Sequence, residues 1–457
     1  MVNINNSIFR EYDIRGIISV DLTDDVISML GKAFATYFIE NGKDKLIIGR
    51  DNRFSSDHIR DILLEEFLNA GLDVIDIGTV ITPIFYFATK NLNIDAGIMI
   101  TASHNPSEYN GFKVQLGEST IYGEEIKKIL YIIEKEAFRK RGHLGKVENV
   151  EIFNAYNSHL HSILSLGNKK IKAVLDCGNG TASLFAPQIF ESFSIDTKKL
   201  YCDSDPSFPN HFPDPVKEEN LKDLIKEIKS GDYDVGISLD GDGDRLGVVD
   251  EKGGIVWGDF IMILFSRDVL KRHPGAKILF DVKCSQLLYD EIKKFGGVPI
   301  MYKTGHSLMK AKMREIGAIL AGEMSGHIFF KDEYFGYDDA VYAALRLIRI
   351  LSNSNQSISE MLSDLPKVYS TPEIRVKTTD KEKFDLVERA KAYFASKYKI
   401  LDIDGVRAQI DDGWGLIRAS NTAPEIIVRC EARTEEKLNF IKSEIEHSLS
   451  SLHIKWT

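Results

Sequence analysis

Four short loops carry residue types whose spacing could do chemistry. The first, Thr101–Pro106 (TASHNP), follows an apolar run, AGIMI, and sets the Ser103 hydroxyl beside the His104 imidazole. A serine placed there suits nucleophilic or phosphate-carrying work. Taken alone, the hexapeptide reads more readily as a polar turn, with Asn105 and Pro106 as ordinary turn residues. The second, Asp240–Arg245 (DGDGDR), lies between the runs DVGISL and LGVVD. Its three carboxylates, Asp240, Asp242 and Asp244, alternate with glycines, so the backbone can fold tightly enough to aim all three at one point. Hard oxygen ligands of this kind select Mg²⁺ or Ca²⁺ over zinc. Three aspartates this close repel one another without a cation, which favours a metal loop over a plain acidic turn. An EF-hand is the rival, because Glu251 falls at its twelfth position. Against it, Arg245 stands where that loop needs Gly, and the flanks read as strands.

The third loop, Gly322–His327 (GEMSGH), ends the apolar run AILA. Glu323, Ser325 and His327 alternate, so they could project from one side of an extended segment toward sugar hydroxyls, with His327 as acid or base. A satisfied surface histidine fits the hexapeptide equally well. The fourth, Arg418–Pro424 (RASNTAP), precedes the run EIIVR and offers phosphate-binding donors, or a capping loop. Isolated basic residues stand at Arg15, Lys113, Lys283 and His306, each by itself a solvated charge. The chain has no GxxxxGK[ST] phosphate loop, no GxGxxG fingerprint and no HExxH helix, which counts against P-loop ATPases, Rossmann dehydrogenases and zinc proteases.

The elements that must position these loops read as alternating strands and helices. Strands are expected at Lys45–Gly49, Leu72–Ile77 and Ala96–Thr101, with helices at Asp57–Ala70, Thr82–Lys90 and Gly123–Phe138. The charged stretch Arg139–Asn149 looks like a boundary. The pattern restarts with strands at Lys170–Cys177 and Asp234–Leu239, and again near Gly253 with strands at Lys277–Val282, Val298–Tyr302 and Ala318–Gly322. After Pro372 a smaller block follows, ending in the strand Glu425–Glu431 and the helix Glu435–Ser450. The expected fold is α/β: three similar mixed α/β domains plus a smaller C-terminal α+β domain around a central cleft. The expected bounds are 1–150, 151–253, 254–368 and 369–457, although no residue-level repeat proves the similarity. Ligands in such sheets sit beyond the carboxyl ends of strands, where these polar loops fall.

The 457 residues carry 58 Lys and Arg against 68 Asp and Glu, a net charge of −10. That balance argues against a nucleic-acid specialist, and it leaves room for small anionic substrates in a local basic pocket. The four cysteines, Cys177, Cys202, Cys284 and Cys430, are scattered and form no CxxC pair, which suits a reducing compartment. No apolar run is long enough for a membrane helix, and the N-terminus has no secretory pattern. A cytoplasmic protein is expected.

In this order, the four loops resemble those of the α-D-phosphohexomutase family over essentially the whole chain. GEMSGH and the SNT of the last loop look most like the bacterial phosphomannomutase/phosphoglucomutase branch. Phosphoglucosamine mutases, which typically carry Gln in place of Met324 and Gly in place of Asn421, are the alternative. The resemblance implies four domains around a cleft and a phosphoryl group carried on Ser103. It implies Mg²⁺ held by Asp240, Asp242, Asp244 and the Ser103 phosphate. Glu323 and Ser325 would bind sugar hydroxyls, and Arg418, Ser420, Asn421 and Thr422 the phosphate that is not transferred. His104, Arg15, Lys113, Arg245, Lys283, His306 and His327 would complete the catalytic and binding set. The implied reaction interconverts hexose 1-phosphate and 6-phosphate through a hexose 1,6-bisphosphate, which also serves as activator. A Mg²⁺-dependent sugar phosphatase and a silent sugar-phosphate sensor are the competing classes. Oligomeric state is not legible.

Overall fold

The computed structural model describes residues 4–421 and 423–450. Four sheets follow one another along the chain, and the first three share one four-strand plan. In the first, Lys45–Arg50, Asp73–Thr79, Ala96–Ile100 and Tyr109–Leu116 stand in the order second, first, third, fourth. The first three run parallel and the fourth returns antiparallel to the third. Lys172–Asp176, Asp196–Leu200, Val235–Leu239 and Leu246–Asp250 repeat that order and those directions. So do Lys277–Asp281, Val298–Tyr302, Leu320–Gly322 and Ile328–Phe330. The similarity that no residue repeat proves is therefore present as topology. In each unit the link from third to fourth strand leaves the carboxyl edge of the sheet, and those three links carry TASHNP, DGDGDR and GEMSGH. The fourth sheet is antiparallel at its centre, and the RASNTAP loop joins Gly413–Ala419 to Glu425–Ala432. The helices Glu382–Ala395 and Glu435–Ser450 pack on it.

The stretch Arg139–Asn149 is not a bare boundary. Val147–Asn149 pairs in parallel with Asp73–Thr79, and the Arg141 and Gly145 N–H groups donate to the Ala70 and Leu68 carbonyls. The strand Ile14–Ile17 covers the opposite edge of that sheet. The helix Asp24–Glu40 also precedes every element read from the sequence. Ten of its residues are buried, so it lacks the one-sided stripe by which helices are recognised. The helix expected at Gly123–Phe138 ends early, at Glu134. Two of the scattered cysteines meet across neighbouring strand ends, with Cys202 Sγ 3.3 Å from Cys177 Sγ, both as free thiols.

One apolar core runs through the first three units, joining Ile47 and Met99 to Leu175 and Ile237 and on to Ile278 and Phe330. The fourth unit has its own core, including Phe394, Ile417, Val428 and Ile441. Its junction with the third combines a small apolar patch, Val282 with Trp414 and Leu416, with charged contacts. Arg407 donates to the Val282 and Cys284 carbonyls at 2.7 and 2.8 Å, and Arg429 pairs with Asp259 at 3.1 Å. Polar junctions of this kind permit domain movement more readily than a shared core does. Among the described residues no helix is long and apolar enough to cross a membrane.

The helix Ala340–Ser352 is capped by Asp339, which accepts the Tyr342 N–H at 2.8 Å and the Tyr156 and Tyr334 hydroxyls, also at 2.8 Å. Burial nevertheless lifts its carboxyl from the ordinary range to about 6. An acid raised in this way adds stability that is complete below about pH 4 and lost as pH rises through the raised value. Asp339→Asn keeps a capping oxygen and removes the titration. The gap in thermal midpoint between the parent chain and this variant should therefore shrink between about pH 4 and pH 7. A gap that stays constant with pH would contradict this.

Candidate active site

Ser103 occupies a left-handed backbone conformation, φ +50°, which costs a non-glycine residue energy unless its surroundings enforce it. Thr101 Oγ1 accepts its N–H at 2.9 Å. The buried Arg53 guanidinium donates to the carbonyls of Ser103, Asn105, Pro106 and Tyr109, pinning the whole loop. The result aims Ser103 Oγ at the second unit, where it donates to Asp240 Oδ2 at 2.7 Å. On its other side lies His104 Nδ1, at 3.0 Å. Burial, with Arg245 and Arg15 nearby, holds the His104 imidazolium well below its usual range, so this ring is neutral.

The aspartate loop is folded around its first residue. Asp240 Oδ1 accepts the N–H groups of Asp244 and Arg245 at 2.9 and 3.1 Å. Gly241 is needed because a Cβ there would lie 2.3 Å from the Ser103 carbonyl oxygen. The neighbouring Gly243 has φ +74°, which glycine alone adopts freely. The EF-hand reading fails here. Both flanks are strands, and Glu251 turns away to accept from the Ser357 and Ser359 hydroxyls.

One ligand oxygen from each of Asp240, Asp242 and Asp244 lies within 4.8 Å of the others. Asp242 Oδ1 and Asp244 Oδ1 are buried without a hydrogen-bond partner. Burial, then Asp244 and Asp242, pushes the Asp240 carboxyl well up. Buried, crowded and under-satisfied carboxylate oxygens are what a hard divalent cation would complete, so the site fits Mg²⁺. Lys113 supplies part of the missing charge, with Nζ 2.6 Å from Asp242 Oδ2 and 2.5 Å from Asp244 Oδ2. Burial disfavours that ammonium, but the two aspartates outweigh it and hold Lys113 charged. Gly241→Ala should push the Ser103 carbonyl off the aspartate loop and lower kcat by about 10²-fold. Mg²⁺ titration by calorimetry and a kinetic assay check this, and unchanged values for both would contradict the close approach.

The third unit adds the GEMSGH loop. Glu323 Oε1 accepts the Gly305 N–H at 2.5 Å, and Ser325 Oγ donates to Glu323 Oε2 at 3.3 Å. Arg245 Nε donates to His327 Nε2 at 3.0 Å, and the Leu246 N–H to the Gly326 carbonyl at 3.0 Å, tying the aspartate loop to this one. The His306 ring stacks on that of His327, centroids 5.4 Å apart, and burial followed by Lys310 keeps it neutral. Lys283 pairs with Glu373 across the junction to the fourth unit at 3.1 Å. There Arg418 Nε donates to Asp404 Oδ2 at 2.9 Å, and Asn421 Nδ2 to Tyr12 Oη at 2.5 Å.

These side chains line one cavity of about 1090 Å³. Arg15, Ser103, His104 and Lys113 enter it from the first unit, Asp244 and Arg245 from the second. Lys283, His306, Glu323, Ser325 and His327 come from the third, and Arg418, Ser420 and Asn421 from the fourth. Asp240 and Asp242 lie fully buried behind Asp244. Thr422 lies outside the described residues. The residue-level reading missed Arg53, Tyr12, Asp338 and Arg429. Arg53 was open to discovery, because DNRFSS also follows an apolar strand. Tyr12 donates to the Thr304 carbonyl at 2.6 Å, a contact between distant parts of the chain that no local pattern announces.

Comparison with known proteins identifies the family. Models of phosphoglucomutase/phosphomannomutase α/β/α domains I, II and III match residues 6–140, 154–254 and 257–369, and the C-terminal domain model matches 373–448. A phosphoglucomutase of Neisseria meningitidis is 43% identical over 99% of this chain and 98% of its own. A phosphomannomutase/phosphoglucomutase of Pseudomonas aeruginosa is 43% identical over 98% of this chain and 96% of its own. The crystal structure of a phosphoglucomutase/phosphomannomutase family protein from Burkholderia thailandensis superposes with TM-score 0.92 at 39% identity, covering 98% of both chains. With four domain models in order and relatives matched over nearly all of its length, the chain belongs to the phosphoglucomutase/phosphomannomutase family, the α-D-phosphohexomutases its loops resemble.

Proposed function

We propose that this chain reversibly converts hexose 1-phosphates and hexose 6-phosphates, of mannose, glucose or both, through a phosphoserine and a 1,6-bisphosphate intermediate. Membership of the family makes it a phosphohexomutase, an intramolecular phosphotransferase. The observation that carries the residue-level reading is the placement of Ser103 Oγ, 2.7 Å from Asp240 and facing a cleft to which all four units contribute. We place the units at 1–150, 151–253, 254–368 and 369–457, working in the cytoplasm on sugar phosphates.

Phosphoryl transfer depends on in-line positioning and on neutralising the equatorial oxygens. A phosphoryl group on Ser103 would sit beside Asp240, Asp242 and Asp244, which would hold Mg²⁺. That ion supplies Lewis-acid neutralisation of the phosphoryl oxygens. Lys113 and Arg245 add fixed positive charge. Glu323 and Ser325 orient the sugar hydroxyls. Arg418, Ser420, Asn421 and Thr422 hold the distal phosphate, with Arg15, Lys283 and His306 completing the wall and His104 fixing Ser103. The free sugar hydroxyl loses its proton to His327 Nε2 as its oxygen bonds to phosphorus and the Ser103 Oγ–P bond breaks, leaving that bond's electron pair on Ser103 Oγ. In the return step this oxygen bonds to the other phosphorus and the departing sugar oxygen takes the proton back from His327. The bisphosphate so formed turns over in the cleft and returns its other phosphate to Ser103, which releases the product. Hexose 1,6-bisphosphate recharges enzyme that has lost its phosphate.

Phosphorus NMR of mannose, glucose and glucosamine 1-phosphates, with Mg²⁺ and catalytic hexose bisphosphate, tests this reading. The mannose and glucose compounds should convert to 6-phosphates with no inorganic phosphate. Net phosphate release without isomerisation would make the chain a phosphatase. Faster turnover of the glucosamine compound would shift the assignment to the phosphoglucosamine branch.

A further inference from the structure

Behind the sugar-facing loop lies a carboxylate that none of the four loops contributes. Asp338 is fully buried, one residue before the Asp339 cap that anchors it to the helix Ala340–Ser352. Its Oδ2 is 3.0 Å from His327 Nδ1 and 3.5 Å from His306 Nδ1. All three atoms are buried, and none makes an aligned hydrogen bond, so the approach of Asp338 Oδ2 to the two rings is an ion-pair contact. Asp244 Oδ1 faces the same His327 nitrogen from farther away, at 3.6 Å.

A neutral imidazole has one proton to place. On Nδ1 the proton can be shared with Asp338 Oδ2 at 3.0 Å; on Nε2 it leaves two lone pairs facing each other in the interior with no hydrogen between them. The other side of the ring gives an independent sign. Arg245 Nε, which can only donate, lies 3.0 Å from His327 Nε2, so Nε2 is an acceptor. The remaining oxygen of Asp338 is also assigned. Oδ1 accepts from the buried Lys310 Nζ at 3.1 Å, and the same ammonium donates to Tyr86 Oη at 3.0 Å and stands 4.2 Å from the centre of that ring.

We propose that Asp338 is a positioning residue that fixes His327 as the Nδ1–H tautomer and so presents the Nε2 lone pair to the reacting sugar hydroxyl. Lys310 orients Asp338 by occupying its other oxygen. The hydroxyl exchanges with Arg245 Nε at Nε2, and the guanidinium turns to the transferring phosphoryl group. This inference rests on the mutase reading of the site.

Neutron diffraction from deuterated crystals of the unaltered chain reads the tautomer directly and needs no variant. A deuteron on His327 Nδ1 is expected. A deuteron on Nε2, or a metal ion seated among Asp244, His327 and Asp338, would overturn the assignment. Kinetics supplies the second arm. In Asp338→Asn, Lys310 should hold the amide oxygen and leave the NH₂ group facing Nδ1, which forces the wrong tautomer. kcat should then fall by about 10³- to 10⁴-fold with KM changed less than about threefold. Adding Lys310→Met frees the amide to turn its oxygen toward Nδ1, and kcat should recover by about tenfold or more. A second substitution that only deepens the loss, or a folded Asp338→Asn variant with near-parental kcat, would overturn the proposal. Failure of the unaltered chain to isomerise any hexose phosphate would instead defeat the mutase reading itself.

Discussion

Ser103→Ala should abolish interconversion, lowering kcat by about 10⁴-fold or more, while sugar-phosphate affinity stays within a few-fold. Ser103 Oγ is the hydroxyl that the TASHNP turn delivers to the aspartate loop, and its loss removes the atom that must carry the phosphoryl group. The groups assigned to sugar and distal phosphate are elsewhere, on the third and fourth units, so binding should survive. The loop should survive too, because Arg53 grips its carbonyls and Thr101 its backbone N–H, without using the Ser103 side chain. Phosphorus NMR for turnover and calorimetry with glucose 1-phosphate separate the two quantities. Substantial turnover in the variant would remove Ser103 from the mechanism.

Chelation of divalent metal should lower activity by about 10³-fold or more, restored in full by Mg²⁺ and not by monovalent salt. The sign follows from charge. Lys113 offsets one of three negative charges, and Asp242 Oδ1 and Asp244 Oδ1 stay unpartnered. Adding a phosphoryl group beside them would raise the repulsion further. Chelated protein should stay folded, because the backbone N–H groups on Asp240 and the Lys113 ion pairs hold the loop. Unchanged circular dichroism alongside lost turnover is the expected pair of results. Full turnover in excess chelator would contradict the metal assignment.

How much of this was legible depends on whether the signal is local. DGDGDR states its chemistry within six residues, because glycine and aspartate alternate for one physical reason. TASHNP, GEMSGH and RASNTAP are ambiguous one at a time and become specific only as an ordered set. The positions of TASHNP, DGDGDR and GEMSGH are explained by the repeated strand plan, in which the same third-to-fourth link meets the cleft three times, whereas RASNTAP belongs to the separate antiparallel sheet. That plan is hard to see at residue level, since strands such as KLIIG, KAVLD and KILFD share little beyond a leading Lys and an apolar run. The helix Asp24–Glu40 escaped because its faces are nearly all apolar, and Val147–Asn149 because its three exposed residues have no strand pattern. Tyr12, Arg53 and Asp338 act through partners about 290, 50 and 11 residues away, distances at which a single sequence carries no pairing information.

The central claim is that Ser103 hands its phosphoryl group to a sugar and takes one back. It is tested most directly by following the phosphorus. Protein carrying ³²P on Ser103 is mixed with unlabelled glucose 1-phosphate and Mg²⁺, and the products are separated within one turnover. The account predicts label first in glucose 1,6-bisphosphate and then in glucose 6-phosphate, with Ser103 left phosphorylated by unlabelled phosphate. Label recovered as inorganic phosphate, or retained on Ser103 while isomerisation proceeds, would contradict it.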